Sequence, residues 1–176
     1  MKKSVLLLFF AGCVATGIFG IGRKIPMNRV NDLGQREGYW RDSLGEGITH
    51  ELYYKGGKKD GLFKCFSRND LFVLGEYTAD NISGTWYMFG DEGELRCTID
   101  SIELNKDSIY TGYCRIFCKY KCYCADYYPS GAVKSEGYMV CDEDFMVDFW
   151  EIGEWKYYDE AGNLIKTKDY GDRRTP

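Results

Sequence analysis

The sequence predicts an all-β protein, built of antiparallel β-hairpin repeats that form an elongated or rolled sheet, and three observations carry that expectation. The chain holds 15 Tyr, 10 Phe and 4 Trp against 3 Pro, and aromatic side chains suit the pleated, half-buried surface of a sheet. No stretch beyond the N-terminus places apolar residues at the three-four spacing of an amphipathic helix. The third observation is a recurrence, because the residues around Gly93 reappear around Gly162. In both places a Gly-x-Trp comes first (Gly84, Trp86; Gly153, Trp155), an aromatic stands four residues before the glycine (Phe89; Tyr158), and a leucine two after it (Leu95; Leu164). One hairpin cannot bury its own apolar face, whereas stacked hairpins share one.

Taken in order, the chain opens with Lys2 and Lys3, an apolar run from Val5 to Ala11, and the ending Phe10-Ala11-Gly12-Cys13. This resembles a bacterial lipoprotein signal over residues 1–12, with small residues before a cysteine that becomes the acylated first residue. Cys13 is then the lipidation site, and Phe10 departs from the smaller aliphatic residue usual there. Two alternatives stay open: an ordinary secretory signal, and an uncleaved anchor reaching Ile21 ahead of Arg23 and Lys24. Each carries the body out of the cytoplasm, to a cell-envelope location and, with the lipid, to the membrane. Residues 13–36 read as a tether, since the stretch 22–37 is polar, contains Pro26 and lacks an apolar period.

Residues 37–170 form the predicted repeat domain. Its first hairpin places Leu52, Tyr53 and Tyr54 ahead of Gly56-Gly57 and Gly61, Leu62 and Phe63 behind. The strongest copy runs from Gly84 to Leu95 around Asp91-Glu92-Gly93. A worn copy has Tyr127 four before Gly131 in Pro129-Ser130-Gly131, Val133 two after it, and then Gly137-Tyr138, a Gly-aromatic start shared by Gly38-Tyr39 and Gly112-Tyr113. The last copy turns at Glu160-Ala161-Gly162. Glycine supplies the positive φ that such turns need, and cross-strand aromatic pairs contribute roughly 0.2–1 kcal/mol each. Residues 171–176 read as a frayed tail.

On Gly84 to Leu95, Tyr127 to Tyr138 and Gly153 to Tyr170, the chain resembles the MORN-type repeat family, in its degenerate bacterial, antitoxin-like form. That resemblance implies an elongated single-layer or rolled antiparallel sheet used for binding or as a scaffold. It implies no active site.

Charge narrows the partners. Of 23 basic residues, loss of Lys2 and Lys3 leaves 21 against 27 acidic ones, a formal charge of −6. No basic stripe survives, so nucleic acid is not an expected partner. Exposed tyrosine and tryptophan recognise proteins or glycans by stacking and hydrogen bonding from one side chain. The candidate binding aromatics are Trp40, Trp86, Trp155, Tyr127 and Tyr158, although Trp86 and Trp155, at matched repeat positions, are expected on the buried face.

Seven cysteines follow Cys13: Cys65, Cys97, Cys114, Cys118, Cys122, Cys124 and Cys141. Four fall at even positions between 114 and 124, so one extended strand would set all four on a single face. Bridges among them are then disfavoured, because residues two apart are separated by about 6.6–7 Å and residues four apart by about 13 Å, against about 4.4–6.8 Å for a disulfide. A tetrahedral metal site would need a turn at Lys119-Tyr120-Lys121. The open readings are buried apolar cysteines, cross-strand disulfides to Cys97 or Cys141, and metal; the sequence leads to no expected metal or cofactor. His50, the only histidine, has no motif around it, and nothing in the spacing pairs it with Cys65. The acidic run Asp142-Glu143-Asp144, with Asp148 and Glu151, lacks the glycine and flanking helices of a helix-loop-helix calcium site and reads as a solvated loop. The expected function is a non-enzymatic envelope binding or scaffold module, with an exported cysteine-dependent enzyme or metal-binding protein as the alternative.

Overall fold

The computed structural model describes residues 26–106, 118–142 and 149–171. The signal, Cys13, Cys114 and part of the acidic run lie outside the described residues. Within them the chain forms eleven strands: β1 (Arg29–Val30), β2 (Arg36–Gly45), β3 (Ile48–Lys55), β4 (Lys58–Ser67), β5 (Asp70–Thr78), β6 (Asn81–Phe89), β7 (Leu95–Leu104), β8 (Tyr120–Tyr127), β9 (Val133–Cys141), β10 (Phe149–Tyr158) and β11 (Leu164–Asp169). Every strand pairs antiparallel with its neighbours in the chain. The two end strands do not meet, so the sheet is open and elongated, and the rolled alternative is not taken up. β1 lies inside the stretch assigned to the tether; it joins the sheet by pairing Arg29 with Glu37 and Val30 with Arg36.

Two kinds of turn occur among the fully described strand connections. Glu46-Gly47, Gly56-Gly57, Arg68-Asn69 and Ala79-Asp80 are two-residue connections in which both residues have φ between 49° and 83°. That is the geometry whose twist matches paired strands. Longer turns span Asn31 to Gln35, Gly90 to Glu94, Tyr128 to Ala132 and Asp159 to Asn163. In the last three, Gly93, Gly131 and Gly162 each donate a backbone hydrogen bond to the first residue of the turn, at 3.0, 2.8 and 2.9 Å. These are the three turns expected from the glycine spacing.

The Gly-x-Trp element is a bulge. On β6, Gly84, Thr85 and Trp86 together face Gly75 of β5, because Leu74 pairs with Tyr87 and Glu76 with Ser83. On β10, Gly153, Glu154 and Trp155 face Gly137 of β9 in the same way. The first glycine takes φ of 65° or 60°, and the tryptophan ring folds over the facing glycine. A Cβ at Gly75 would meet Trp86 at 2.1 Å, and one at Gly137 would meet Trp155 at 2.5 Å. Gly38 and Gly61 also have positive φ and precede Trp40 and Phe63 by two. Gly38, Gly61 and Gly84 fall at intervals of 23 residues, and Gly153 lies three intervals further on.

These aromatics and their neighbours form one apolar face. Leu52, Phe63, Val73, Tyr77, Trp86, Ile99, Met139 and Trp155 are buried there, with Phe63, Tyr77 and Trp86 in mutual ring contact at 5.2 to 5.7 Å between centroids. A smaller cluster of Cys118, Val140 and Ile152 occupies the other face.

Candidate functional site

The five candidate binding aromatics separate into two groups. Trp86 is 1% exposed and Trp155 is 4% exposed, and their indole N–H groups donate to the carbonyls of Ser83 (3.0 Å) and Tyr138 (2.7 Å). Both are core residues; Trp86 offers no ring face to a ligand, whereas Trp155 also lines a cavity beside Cys124. Trp40 is half-buried: its Nε1 donates to the Arg29 carbonyl and the Arg36 guanidinium lies 4.3 Å over its ring. Tyr127 and Tyr158 are half-buried, and their hydroxyls are engaged by Thr98 (3.1 Å) and Glu136 (2.7 Å). Glu136 also lies by Tyr123, whose hydroxyl burial, and then that carboxylate, push up to about 12.

The register exposes a site that the sequence pattern conceals. Along the apolar face, the pairs Trp40 with Leu52, Phe63 with Gly75, Trp86 with Ile99, Cys124 with Gly137 and Trp155 with Lys168 occupy successive equivalent positions. Trp86, Cys124 and Trp155 each stand seven residues before the turn glycine, Gly93, Gly131 or Gly162. Cys124 therefore holds the place of an aromatic ring. A thiol fills much less volume than an indole, and close-packed interiors leave such a deficit as a void unless neighbours move in. Ile99, where β5 and β9 have glycine, takes up part of it.

The remainder is a cavity of about 280 Å³. Its walls include Met88, Ile99, Met139 and Trp155, with Cys97 and Cys124 also lining it. Asp126, Ser135 and Glu151 add polar atoms, and Phe72 (42% exposed) and Phe149 (49% exposed) add two accessible rings. Phe72 is drawn to this side by the irregularity between β4 and β5, where Cys65 pairs with Val73 but Phe66 with Leu71.

The thiols depart from the single-strand expectation. β8 begins at Tyr120, so Cys118 precedes it; the Asn105 side chain donates to the Cys118 carbonyl (2.8 Å) and the Asn105 backbone N–H to that of Lys119 (2.9 Å). Cys118 then packs on the opposite face from Cys122 and Cys124. Neighbours come from adjacent strands instead: Cys97 Sγ lies 3.3 Å from Cys124 Sγ, and Cys122 Sγ 3.7 Å from Cys141 Sγ. The Cys124 and Cys122 thiols are pushed well up, first by these contacts and then by burial. One carboxylate joins the first pair, since single ligand atoms of Cys97, Cys124 and Asp126 lie within 4.8 Å of one another.

His50 pairs directly with Cys65 in the β3–β4 register, a juxtaposition that sequence spacing gave no reason to expect. Burial pushes the Cys65 thiol up, opposite to the change that activates a nucleophile, and the imidazole packs edge-on to Phe63 at 5.0 Å. Of the acidic run, Asp142 and Glu151 are described; Glu143, Asp144 and Asp148 lie outside the described residues. No helix among the described residues is long and apolar enough to cross a membrane. No family model, no curated protein and no solved structure matches the chain.

Proposed function

We propose that this chain is a non-enzymatic cell-envelope lipoprotein, held by a lipid on Cys13, whose MORN-like hairpin sheet is a binding or scaffold module for a protein partner. The observation that carries the reading is the cavity beside Cys124, where the aromatic of the repeat is absent. Apolar walls with a few convergent polar groups are the usual make-up of a ligand site, and an inserted apolar or aromatic side chain is the usual anchor of a protein interface. A glycan would bring hydroxyls that Met88, Ile99 and Met139 cannot pair. The raised Cys65, Cys122 and Cys124 thiols favour packing over nucleophilic chemistry.

Site-directed photo-crosslinking in intact cells tests this. A photoreactive residue at Phe149 should give a discrete adduct with a second protein. The same residue at Leu62 or Tyr87, which alternate with core residues Phe63 and Trp86 and so lie on the opposite face, should give none. Adducts from Leu62 and Tyr87 with none from Phe149 would contradict the cavity as the binding site.

A further inference from the structure

We propose that Cys97, Cys124 and Asp126 form a binding site for a thiophilic divalent cation, Zn(II), on the floor of the cavity. Their ligand atoms lie within 4.8 Å of one another, with the two sulfurs 3.3 Å apart. Sulfurs each about 2.3 Å from one tetrahedral zinc are about 3.8 Å apart, whereas a disulfide needs about 2.05 Å. The observed separation is nearer the first.

The register gives the same answer. Cys97 faces Asp126 and Cys124 faces Ile99, so the cysteines are diagonal neighbours. Diagonal positions are about 7–8 Å apart, beyond the range of about 4.4–6.8 Å that a disulfide spans without backbone movement. An ion set between the sulfurs bridges that distance. Asp126, opposite Cys97, brings a carboxylate to the same place, and Ser135 Oγ donates to Asp126 Oδ2 at 2.8 Å, the kind of outer contact that orients a ligating carboxylate. The cavity admits a water as fourth ligand. Mixed sulfur and oxygen donors suit zinc, whereas copper(I) favours soft sulfur ligands over a carboxylate. Cys122 and Cys141, although 3.7 Å apart, belong to no such three-donor group among the described residues.

Binding forms two Zn–S bonds and one Zn–O bond and releases two thiol protons to solvent. It requires neither the lipid anchor nor the protein partner, so its failure would leave the function proposed above standing. The full chain, purified in detergent under reducing conditions and stripped with a chelator, is titrated with Zn(II) and, as a spectroscopic probe, Co(II). One equivalent should bind, and the cobalt form should show sulfur-to-metal charge transfer with tetrahedral d–d bands. Cys97→Ala, Cys124→Ala and Asp126→Asn should each weaken binding, Ser135→Ala by roughly 10–100-fold, and Cys122→Ala should leave binding and spectrum unchanged. Circular dichroism confirms that each variant is folded. Unchanged binding in the Cys97 and Cys124 variants, well under one equivalent in the parent chain, or recovery of a Cys97–Cys124 disulfide from protein isolated without reductant would overturn the proposal.

Discussion

Trp86 and Trp155 are buried because a glycine on the preceding strand leaves room for each ring. Gly75→Ala and Gly137→Ala put a methyl group within 2.1 and 2.5 Å of those rings. Overpacking of this kind typically costs about 1–3 kcal/mol, and equilibrium denaturation should show that loss for both variants. Trp86→Ala and Trp155→Ala should cost more, about 3–5 kcal/mol; losses below about 1 kcal/mol are the surface range and would contradict their burial. The tyrosines add a pH dependence. Burial first, aided by Glu51 at Tyr39, Glu136 at Tyr123 and Tyr170 at Tyr157, pushes all three to about 12 from the ordinary 10. A raised folded value means that the fold holds the proton more tightly, so this stability is complete below about pH 10 and is lost as pH rises through about 12. Denaturation midpoints should fall over that window, and Tyr157→Phe should flatten part of the decline. The matched Gly-x-Trp positions were legible in the sequence. Their glycine partners were not, because Gly75 precedes Trp86 by 11 residues and Gly137 precedes Trp155 by 18, a difference set by the length of the intervening connection.

At the scale of elements, hairpin register decides which face each side chain takes, and turns and bulges decide register. The turns at Gly93, Gly131 and Gly162 could be read from glycine spacing alone. Arg68-Asn69 and Ala79-Asp80 could not, since neither pair contains the glycine that favours positive φ. Ala79, at φ 49°, lacks the short polar side chain that eases this conformation: an alanine there costs about 1–2 kcal/mol, against about 0.5–1 kcal/mol for the extra chain entropy of glycine. Ala79→Gly should therefore raise stability by about 0.5 kcal/mol, a gain that a urea midpoint can resolve. Asp80 must be kept in that variant, because its backbone N–H donates to the Lys59 carbonyl and its Oδ1 accepts from the Lys59 N–H, both at 2.8 Å. In the cysteine-rich stretch a single strand accounts for Cys122 and Cys124, which share a face of β8, but not for Cys118. Asn105 closes the β7–β8 connection at Cys118 and Lys119, so the strand starts later; the close thiols lie across strands, Cys124 by Cys97 and Cys122 by Cys141, the two cross-strand partners the sequence offered, but as free thiols and not as disulfides.

For the molecule as a whole, the open sheet of paired hairpins carries an extended apolar face, and cysteine in the place of the tryptophan leaves a recess in it. That exchange was available in the sequence by counting seven residues back from Gly131, but only the register shows that the position equals that of Trp86 and Trp155. Anchoring belongs to this scale too. Cys13→Ser should release the chain from the membrane fraction or leave it unprocessed, because the proposed lipid anchor would put every acyl chain on that cysteine; fractionation identical to the parent chain would contradict a lipid anchor. Binding at the recess is tested most directly by filling it. Ile99→Gly with Cys124→Trp rebuilds the glycine-tryptophan pair found at Gly75 and Trp86, and the measurement is the yield of photo-crosslinking from position 149 in cells. A folded protein whose adduct is lost is expected, while an adduct formed as efficiently with the cavity filled would contradict binding at the cavity.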